Sequence, residues 1–150
     1  MSNSLGLGRE VTGSLGYLLK HAHLELDALM TRALEPLGVD PRSLGVLRVL
    51  ASREPTSQQE VAQLLSVDRT TMVALIDSLE RQGIVSRTPL PGDRRRNVVE
   101  LTTAGLDVFA RAEAASHAVE HEFVAPLAGR DATVLREALH TIVTTDHPDA

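Results

Sequence analysis

The stretch from Ser57 to Gly83 constrains the fold of this chain most, because it carries two short helical patterns joined by a tight turn. Ser57, with Glu60 three residues later, is the pattern of a capping box, in which the two residues satisfy each other's backbone N–H groups. Asp68 is a typical N-cap for the second helix, and a glycine such as Gly83 is typical just after a helix end. Two short helices in this arrangement predict a helix-turn-helix.

The residues that follow predict a β-hairpin with a cationic tip. Residues 84–87 and 97–101 are short runs rich in β-branched residues, and residues 89–96 between them contain a Pro-Gly pair and three consecutive arginines. Such a pattern is typical of two strands and their turn. Guanidinium groups are planar and weakly hydrated, so they suit a narrow, electronegative DNA minor groove. The hairpin is therefore a candidate wing that reaches into DNA, although charged turns are often merely solvated.

The charge of the chain is distributed unevenly. The net charge is −5, yet residues 69–96 contain six Arg against three acidic residues. The rest of the chain holds nine Lys and Arg against 17 acidic residues. A basic strip on an acidic protein indicates a polyanionic partner.

Long helices are predicted on both sides of the helix-turn-helix. Apolar residues recur at spacings of three and four over residues 15–37 and 106–123, and again after Asp131, the predicted cap of a last helix. No sheet is predicted to cover these apolar stripes, so we expect them to pack together and against a second copy, as a homodimer. Residues 1–12 are rich in small and polar residues and are expected to form a loose arm.

We therefore expect a mainly α fold with a small β-hairpin wing, in one domain spanning residues 1–150. Residues 14–37 and 103–145 are the predicted dimerisation helices. Residues 41–101 are the predicted winged helix-turn-helix and the DNA-binding part.

Composition argues against several other classes of protein. The chain has no Cys, so disulfides and thiolate zinc sites are excluded, and its three aromatic residues are too few for a protein that stacks single-stranded bases. It has no long apolar run, and its start lacks the pattern of a signal peptide, so we expect no membrane partner and a cytoplasmic location. It has no Gly-rich phosphate loop and no Gly-x-Ser-x-Gly motif, so we expect neither an enzyme nor a bound cofactor.

Histidines on the predicted fifth helix keep one alternative open. His117 and His121 are four residues apart, with Glu113 and Glu120 nearby, and such a pair faces one way and can hold a metal. Surface or dimer-interface roles explain the same residues, and we predict no metal site. The alternative function is a metal- or ligand-sensing dimer that acts mainly through a protein partner.

Together these motifs resemble the multiple antibiotic resistance regulator (MarR) family. The resemblance rests on residues 57–83, on the strand that follows them, and on Asp93-x-Arg95, which five intervening residues separate from Leu101-Thr102. It covers nearly the whole chain. It implies a winged-helix dimer that binds a short pseudo-palindrome of double-stranded DNA as a regulator, most simply a repressor.

The resemblance also implies site residues. Arg95 matches the family's minor-groove arginine, Asp93 matches the acid that braces it, and Arg94 and Arg96 flank it in the same turn. The exposed part of the matching recognition helix contains Arg69, Thr70, Thr71, Val73 and Ala74. The start of the preceding helix, which approaches a phosphate in the family, contains Ser57, Gln58 and Gln59. Ala74 stands where the family often carries an arginine, so Arg69 is the candidate major-groove cation. Thr71 has a local capping role as its alternative.

A small-molecule effector is a further expectation from the resemblance. In the family fold, a cleft separates the dimerisation helices from the DNA-binding part. Tyr17, His21, Arg48 and His117 are polar residues on helices around that cleft, and they suit a small anionic or phenolic ligand. Surface or interhelical hydrogen bonding is the alternative role for each of them.

Overall fold

The structure is a computed structural model that describes residues 8–90 and 92–145, with the backbone alone described at residues 94–96. Its elements in chain order are α1 (Arg9–Thr12), α2 (Leu15–Leu34), a 3₁₀ turn (Glu35–Leu37), α3 (Pro41–Ala51), β1 (Thr56–Ser57), α4 (Gln58–Leu64), α5 (Arg69–Arg81), β2 (Val85–Leu90), β3 (Asp93–Leu101), α6 (Thr103–Val124) and α7 (Gly129–Thr144). This order confirms the mainly helical winged helix-turn-helix fold.

Side-chain caps determine where several helices begin. Asp40 Oδ1 accepts a hydrogen bond from the Ser43 N–H at 2.7 Å and starts α3. Thr102 Oγ1 accepts from the Gly105 N–H at 2.9 Å and starts α6. Each cap satisfies one of the N–H groups that a first helical turn leaves without an internal partner.

Two local predictions were wrong. Within the expected loose arm, Arg9–Thr12 forms a short helix, whereas residues 1–7 lie outside the described part of the chain. The last helix starts at Gly129, without a side-chain cap, so Asp131 is not its cap. Asp131 instead lies in the first turn, where a carboxylate interacts favourably with the helix dipole.

The three strands form one antiparallel sheet in the order β1-β3-β2. Arg87 of β2 pairs with Val99 of β3, which pairs with Thr56 of β1 on its other side. The predicted hairpin is confirmed and is longer than expected. The two-residue strand β1 was not predicted, because a strand so short has no periodicity of its own. It brings the start of α4 against the base of the wing.

The core lies between the helix-turn-helix, α3 and the sheet. Met72, Ile76 and Leu79 of α5 are fully buried, as are Val61 of α4 and Val99 of β3. Leu44, Leu47 and Leu50 of α3 are also buried. Burial of side chains of this size stabilises a fold by about 1.5–3 kcal/mol each.

The long outer helices α2, α6 and α7 leave large apolar side chains exposed. Leu106 of α6, on an apolar stripe that the sequence predicts to pack against other helices and a second copy, is 54% exposed. Leu15 and Leu18 on α2, and Ile142 and Val143 on α7, are also at least half exposed.

Within the described residues, no helix combines the length and apolarity that crossing a membrane requires.

Gly105 is the tightest point between α6 and the end of the helix-turn-helix. A Cβ at this position would lie 1.9 Å from the carbonyl oxygen of Ile84, which also accepts a hydrogen bond from the Thr102 N–H. We expect Gly105→Ala to lower the free energy of unfolding by roughly 1–3 kcal/mol or more, since backbone must move to relieve the clash.

Urea denaturation measures the effect, with Gly45→Ala as the matched helical control. A Cβ at Gly45 meets only Leu65, at an ordinary 3.7 Å. Alanine is preferred to glycine inside a helix by about 0.5–1 kcal/mol, so this variant should be unchanged or more stable. Equal effects of the two substitutions would contradict the predicted clash.

Candidate nucleic-acid interface

The first region of the candidate interface is the start of α4. Ser57 Oγ accepts a hydrogen bond from the Glu60 N–H at 3.2 Å, and Glu60 Oε2 accepts from the Ser57 N–H at 2.9 Å. Thr56 Oγ1 donates to the same Glu60 oxygen at 2.6 Å. The predicted capping box is confirmed. It holds the first turn of α4 in one orientation, with Gln58 half-buried and Gln59 exposed.

The second region is the start of α5, where Asp68 and Thr71 form a closed pair. Asp68 Oδ2 accepts from the Thr71 hydroxyl at 2.6 Å, and Oδ1 accepts from the Thr71 N–H at 2.9 Å. These two bonds, the hydroxyl one first, stabilise the carboxylate and hold the pKa of Asp68 below its usual value. The hydroxyl proton of Thr71 is therefore used in local capping, so Thr71 can offer a partner its methyl group and an acceptor oxygen but no hydroxyl donor.

The two faces of α5 differ sharply. Met72, Ile76 and Leu79 are fully buried, as their helical spacing predicts. The predicted contact residues lie on the other positions of the helix: Arg69, Thr70 and Ala74 are exposed, and Thr71 and Val73 are half-buried. The first turns of α5 thus present a cation, a hydroxyl and small apolar groups to solvent.

An open cleft of about 590 Å³ joins α4, α5 and the sheet. Ser57, Gln58 and Gln59 line it from the start of α4, and Arg69 lines it from α5. Asn97 of β3, which the sequence did not single out, contributes a third element. Among the described lining residues, Arg69 carries the one charge. The structure therefore brings the predicted phosphate-contact residues and the predicted major-groove cation to one surface.

Arg87 is a functional candidate that sequence reasoning missed. Its Nη2 donates to Asp77 Oδ1 of α5 at 2.5 Å and to Gln58 Oε1 of α4 at 3.2 Å. Its Nη1 lies 3.5 Å from Glu80 Oε1, and its buried Nε has no acceptor within the described residues. The sequence signal that pointed to it was the pair of acids on α5, Asp77 and Glu80, which are three residues apart and can share one cation.

The wing is only partly described. Asp93 begins β3 and is half-buried, and Gly92 before it has a φ of 91°, a conformation that glycine adopts without strain. The backbone of Arg94, Arg95 and Arg96 belongs to β3, which is longer than predicted. Their side chains lie outside the described part of the structure.

The four predicted effector residues lie in two pairs. Arg48 Nε donates to Glu113 Oε1 at 2.6 Å, and the other oxygen of Glu113 lies 3.8 Å from His117 Nε2. Tyr17 and His21 contact each other on α2, with ring centroids 4.0 Å apart. None of these residues lines the cleft of the interface.

Arg48 also connects α3 to α6 through a second contact. Its Nη2 donates to the hydroxyl of Ser116, a residue with no exposed surface, at 2.9 Å. The interhelical role considered for Arg48 is thus present. Among the described residues, no group of three or more His, Asp or Glu side chains is placed to hold a metal.

Comparison with known proteins identifies the family. A MarR family model matches residues 37–96. The transcriptional repressor CouR, bound to a 23-mer DNA duplex, superposes with a TM-score of 0.82 and 32% identity, covering 91% of this chain and 98% of CouR. This chain belongs to the MarR family. The resemblance seen in the sequence is confirmed.

Other members extend the match. A putative transcriptional regulatory protein for the hcr operon of Thauera aromatica is 29% identical over 137 residues, which span 91% of this chain and 82% of the relative. The HTH-type transcriptional repressor Mb2911 of Mycobacterium bovis is 32% identical over 113 residues, or 75% of this chain and 81% of the relative. CouR bound to p-coumaroyl-CoA superposes with a TM-score of 0.83 and 28% identity, covering 95% of this chain and 100% of CouR. These MarR proteins are transcriptional regulators.

The Asp68 cap predicts a pH dependence of stability. Because folding lowers the pKa of Asp68 below its usual 3.8, the ionised carboxylate stabilises the folded state. That contribution is fully present above the usual pKa and is lost as the pH falls through the lower folded value. Asp68→Asn keeps a capping oxygen but removes the charge. We expect it to be less stable than the wild type near pH 7, with the difference shrinking below about pH 4.

Urea unfolding of both proteins between pH 3 and pH 7 measures this difference. A difference in the free energy of unfolding that is as large at pH 3 as at pH 7 would contradict a role for the carboxylate charge.

Proposed function

We propose that this protein is a homodimeric repressor that binds a pseudo-palindromic operator in double-stranded DNA. The observation that carries the proposal is the cleft in which the start of α4, the start of α5 and β3 meet, in a chain of the MarR family. Among the described residues, its lining offers one cation, Arg69, and several amide and hydroxyl groups. That is the chemistry of a surface that follows a phosphate backbone and reaches base edges.

In this proposal α5 enters the major groove by its first turns. Arg69 meets a guanine or a phosphate, while Thr70 and the methyl groups of Thr71, Val73 and Ala74 meet base edges and thymine methyls. Ser57, Gln58 and Gln59 approach the neighbouring phosphates. Arg95, flanked by Arg94 and Arg96 and braced by Asp93, enters the minor groove.

The dimer forms through the outer helices. Leucines, valines and isoleucine exposed on α2, α6 and α7 are the support for this part, because a monomer would leave these apolar groups in water. A two-fold dimer presents two recognition helices, which fit half-sites about one helical turn apart.

The effector is a small anionic or phenolic molecule bound near Tyr17, His21, Arg48 and His117. The bond from Arg48 to Glu113 supports this, since it links α3 of the DNA-binding part to α6, and an anion competing for Arg48 would break the link. The binding of p-coumaroyl-CoA by CouR supports an effector of this class. Such a ligand would lower DNA affinity by favouring a different spacing of the two DNA-binding parts.

Fluorescence anisotropy tests the function directly. A labelled duplex from the upstream DNA of the gene is titrated with protein at two salt concentrations, beside a scrambled duplex. We expect tight, sequence-preferring binding of one dimer per duplex that weakens steeply with salt, because phosphate contacts release counterions. Adding p-coumaroyl-CoA, as the first effector probe, should release the duplex.

If the protein binds both duplexes equally weakly, the next experiment is an unbiased selection of binding sites from random duplexes. Failure of that selection to enrich any pseudo-palindrome would contradict the proposed function. Unchanged binding with p-coumaroyl-CoA, together with no heat of binding by calorimetry, would contradict this effector class and leave the DNA-binding proposal standing.

A single wing arginine should carry a measurable share of the DNA affinity. We expect Arg95→Ala to weaken operator binding by roughly 1–3 kcal/mol, the range of a good groove contact. Arg130→Ala, which removes an exposed arginine from the first turn of α7, is the control for lost charge and should bind nearly as well as wild type. Equal losses for the two variants would assign the effect of Arg95 to overall charge.

A further inference from the structure

Arg87 joins the two helices of the helix-turn-helix from beneath. Its guanidinium contacts Asp77 and Glu80 on α5 and Gln58 on α4, and only 18% of its side chain is exposed. Since Nη2 donates to Asp77 and Gln58, Nη1 faces Glu80 and Nε is buried, Arg87 is poorly placed to meet a phosphate itself. Its effect on DNA has to pass through one of its partners.

The partner that faces the interface is Gln58. A guanidinium has donors only, so Gln58 must turn its amide oxygen toward Arg87, at 3.2 Å. The amide NH₂ group then points away from Arg87. No acceptor for that group is found within residues 8–90 and 92–145, and Gln58 lines the cleft. A phosphate oxygen is an acceptor only, so this is the orientation that a phosphate requires.

The anchor for this arrangement is rigid. Arg87 lies in a row across the sheet with Val99 and Thr56, and Val99 is fully buried. Nη2 has two N–H groups, and Asp77 Oδ1 takes one of them at 2.5 Å, which leaves the other directed at Gln58. Strand pairing and the ion pair thus determine where the guanidinium stands before DNA arrives.

We propose that Arg87 is a positioning residue for DNA binding, which holds the Gln58 side chain with its NH₂ group toward a backbone phosphate. The proposal rests on the proposed function and names a residue that acts through another. Pre-organising the amide means that its ordering is not a cost of binding.

A double-mutant cycle on operator affinity tests the coupling. Gln58→Met in the wild-type background should weaken binding roughly tenfold, the value of about 1.4 kcal/mol for one charge-assisted hydrogen bond. In an Arg87→Met background the same substitution should cost little, because the amide is no longer held. Gln59→Met is the matched control, since Gln59 lines the same cleft without a bond to Arg87. Its cost should be equal in both backgrounds.

A structural role alone would give a different pattern. If Arg87 only stabilised the fold, Gln58→Met would cost the same factor in both backgrounds, and that result would overturn the proposal. A thermal melt of every variant tests whether it is folded at the assay temperature. If Arg87→Met does not fold, Arg87→Lys takes its place in the cycle, since it keeps a charge for Asp77 and Glu80 but lacks the paired N–H geometry of Nη2.

The cycle also separates this inference from the function on which it rests. Failure of the wild type to prefer any sequence, even after unbiased site selection, would contradict the proposed function. If the wild type prefers its operator but the affinity losses of the Arg87 and Gln58 substitutions are additive, only the positioning role is contradicted.

Discussion

The buried face of α5 is the constraint on which the rest of the structure depends. Met72, Ile76 and Leu79 have no exposed surface, and they pack in one core with Val61 of α4 and Val99 of β3. Replacing any one of these side chains by alanine would cost several kcal/mol, typically about 2–5, because the core cannot close over the gap. With this face fixed, the positions between its residues must face outward, and the surface of the candidate interface follows from the packing beneath it.

Polar contacts then set the angles between elements that the core alone leaves free. Arg87 connects β2 to α4 and α5, and Arg48 connects α3 to α6. Both arginines use more than one donor, which determines direction as well as distance. The function proposed above uses both properties: DNA reading needs a recognition helix at a fixed angle, and a ligand response needs a breakable link between the two parts.

Local signals in the sequence predicted much of the fold, because they act over a few residues. The capping box at Ser57, the caps at Asp68 and Thr102 and the apolar spacing of α5 all depend on neighbours within one helical turn. Asp131 was wrongly predicted as a cap, because α7 begins two residues earlier, at Gly129, and places Asp131 inside its first turn. The apolar period of α6 marks one face of that helix but does not show what covers the face, and Leu106 on it is 54% exposed.

The sequence by itself determined the helix-turn-helix, the wing, the basic strip and the membership of the MarR family. Their signals lie in short runs of residues, and the motifs that carry the resemblance are contiguous. Only the tertiary structure decided that Asn97 belongs to the cleft and that Arg87 holds Gln58. Residues 58 and 87 stand 29 positions apart. Contacts of that kind depend on the strand register and on how α4 and α5 pack, and neither leaves a periodic trace in the chain.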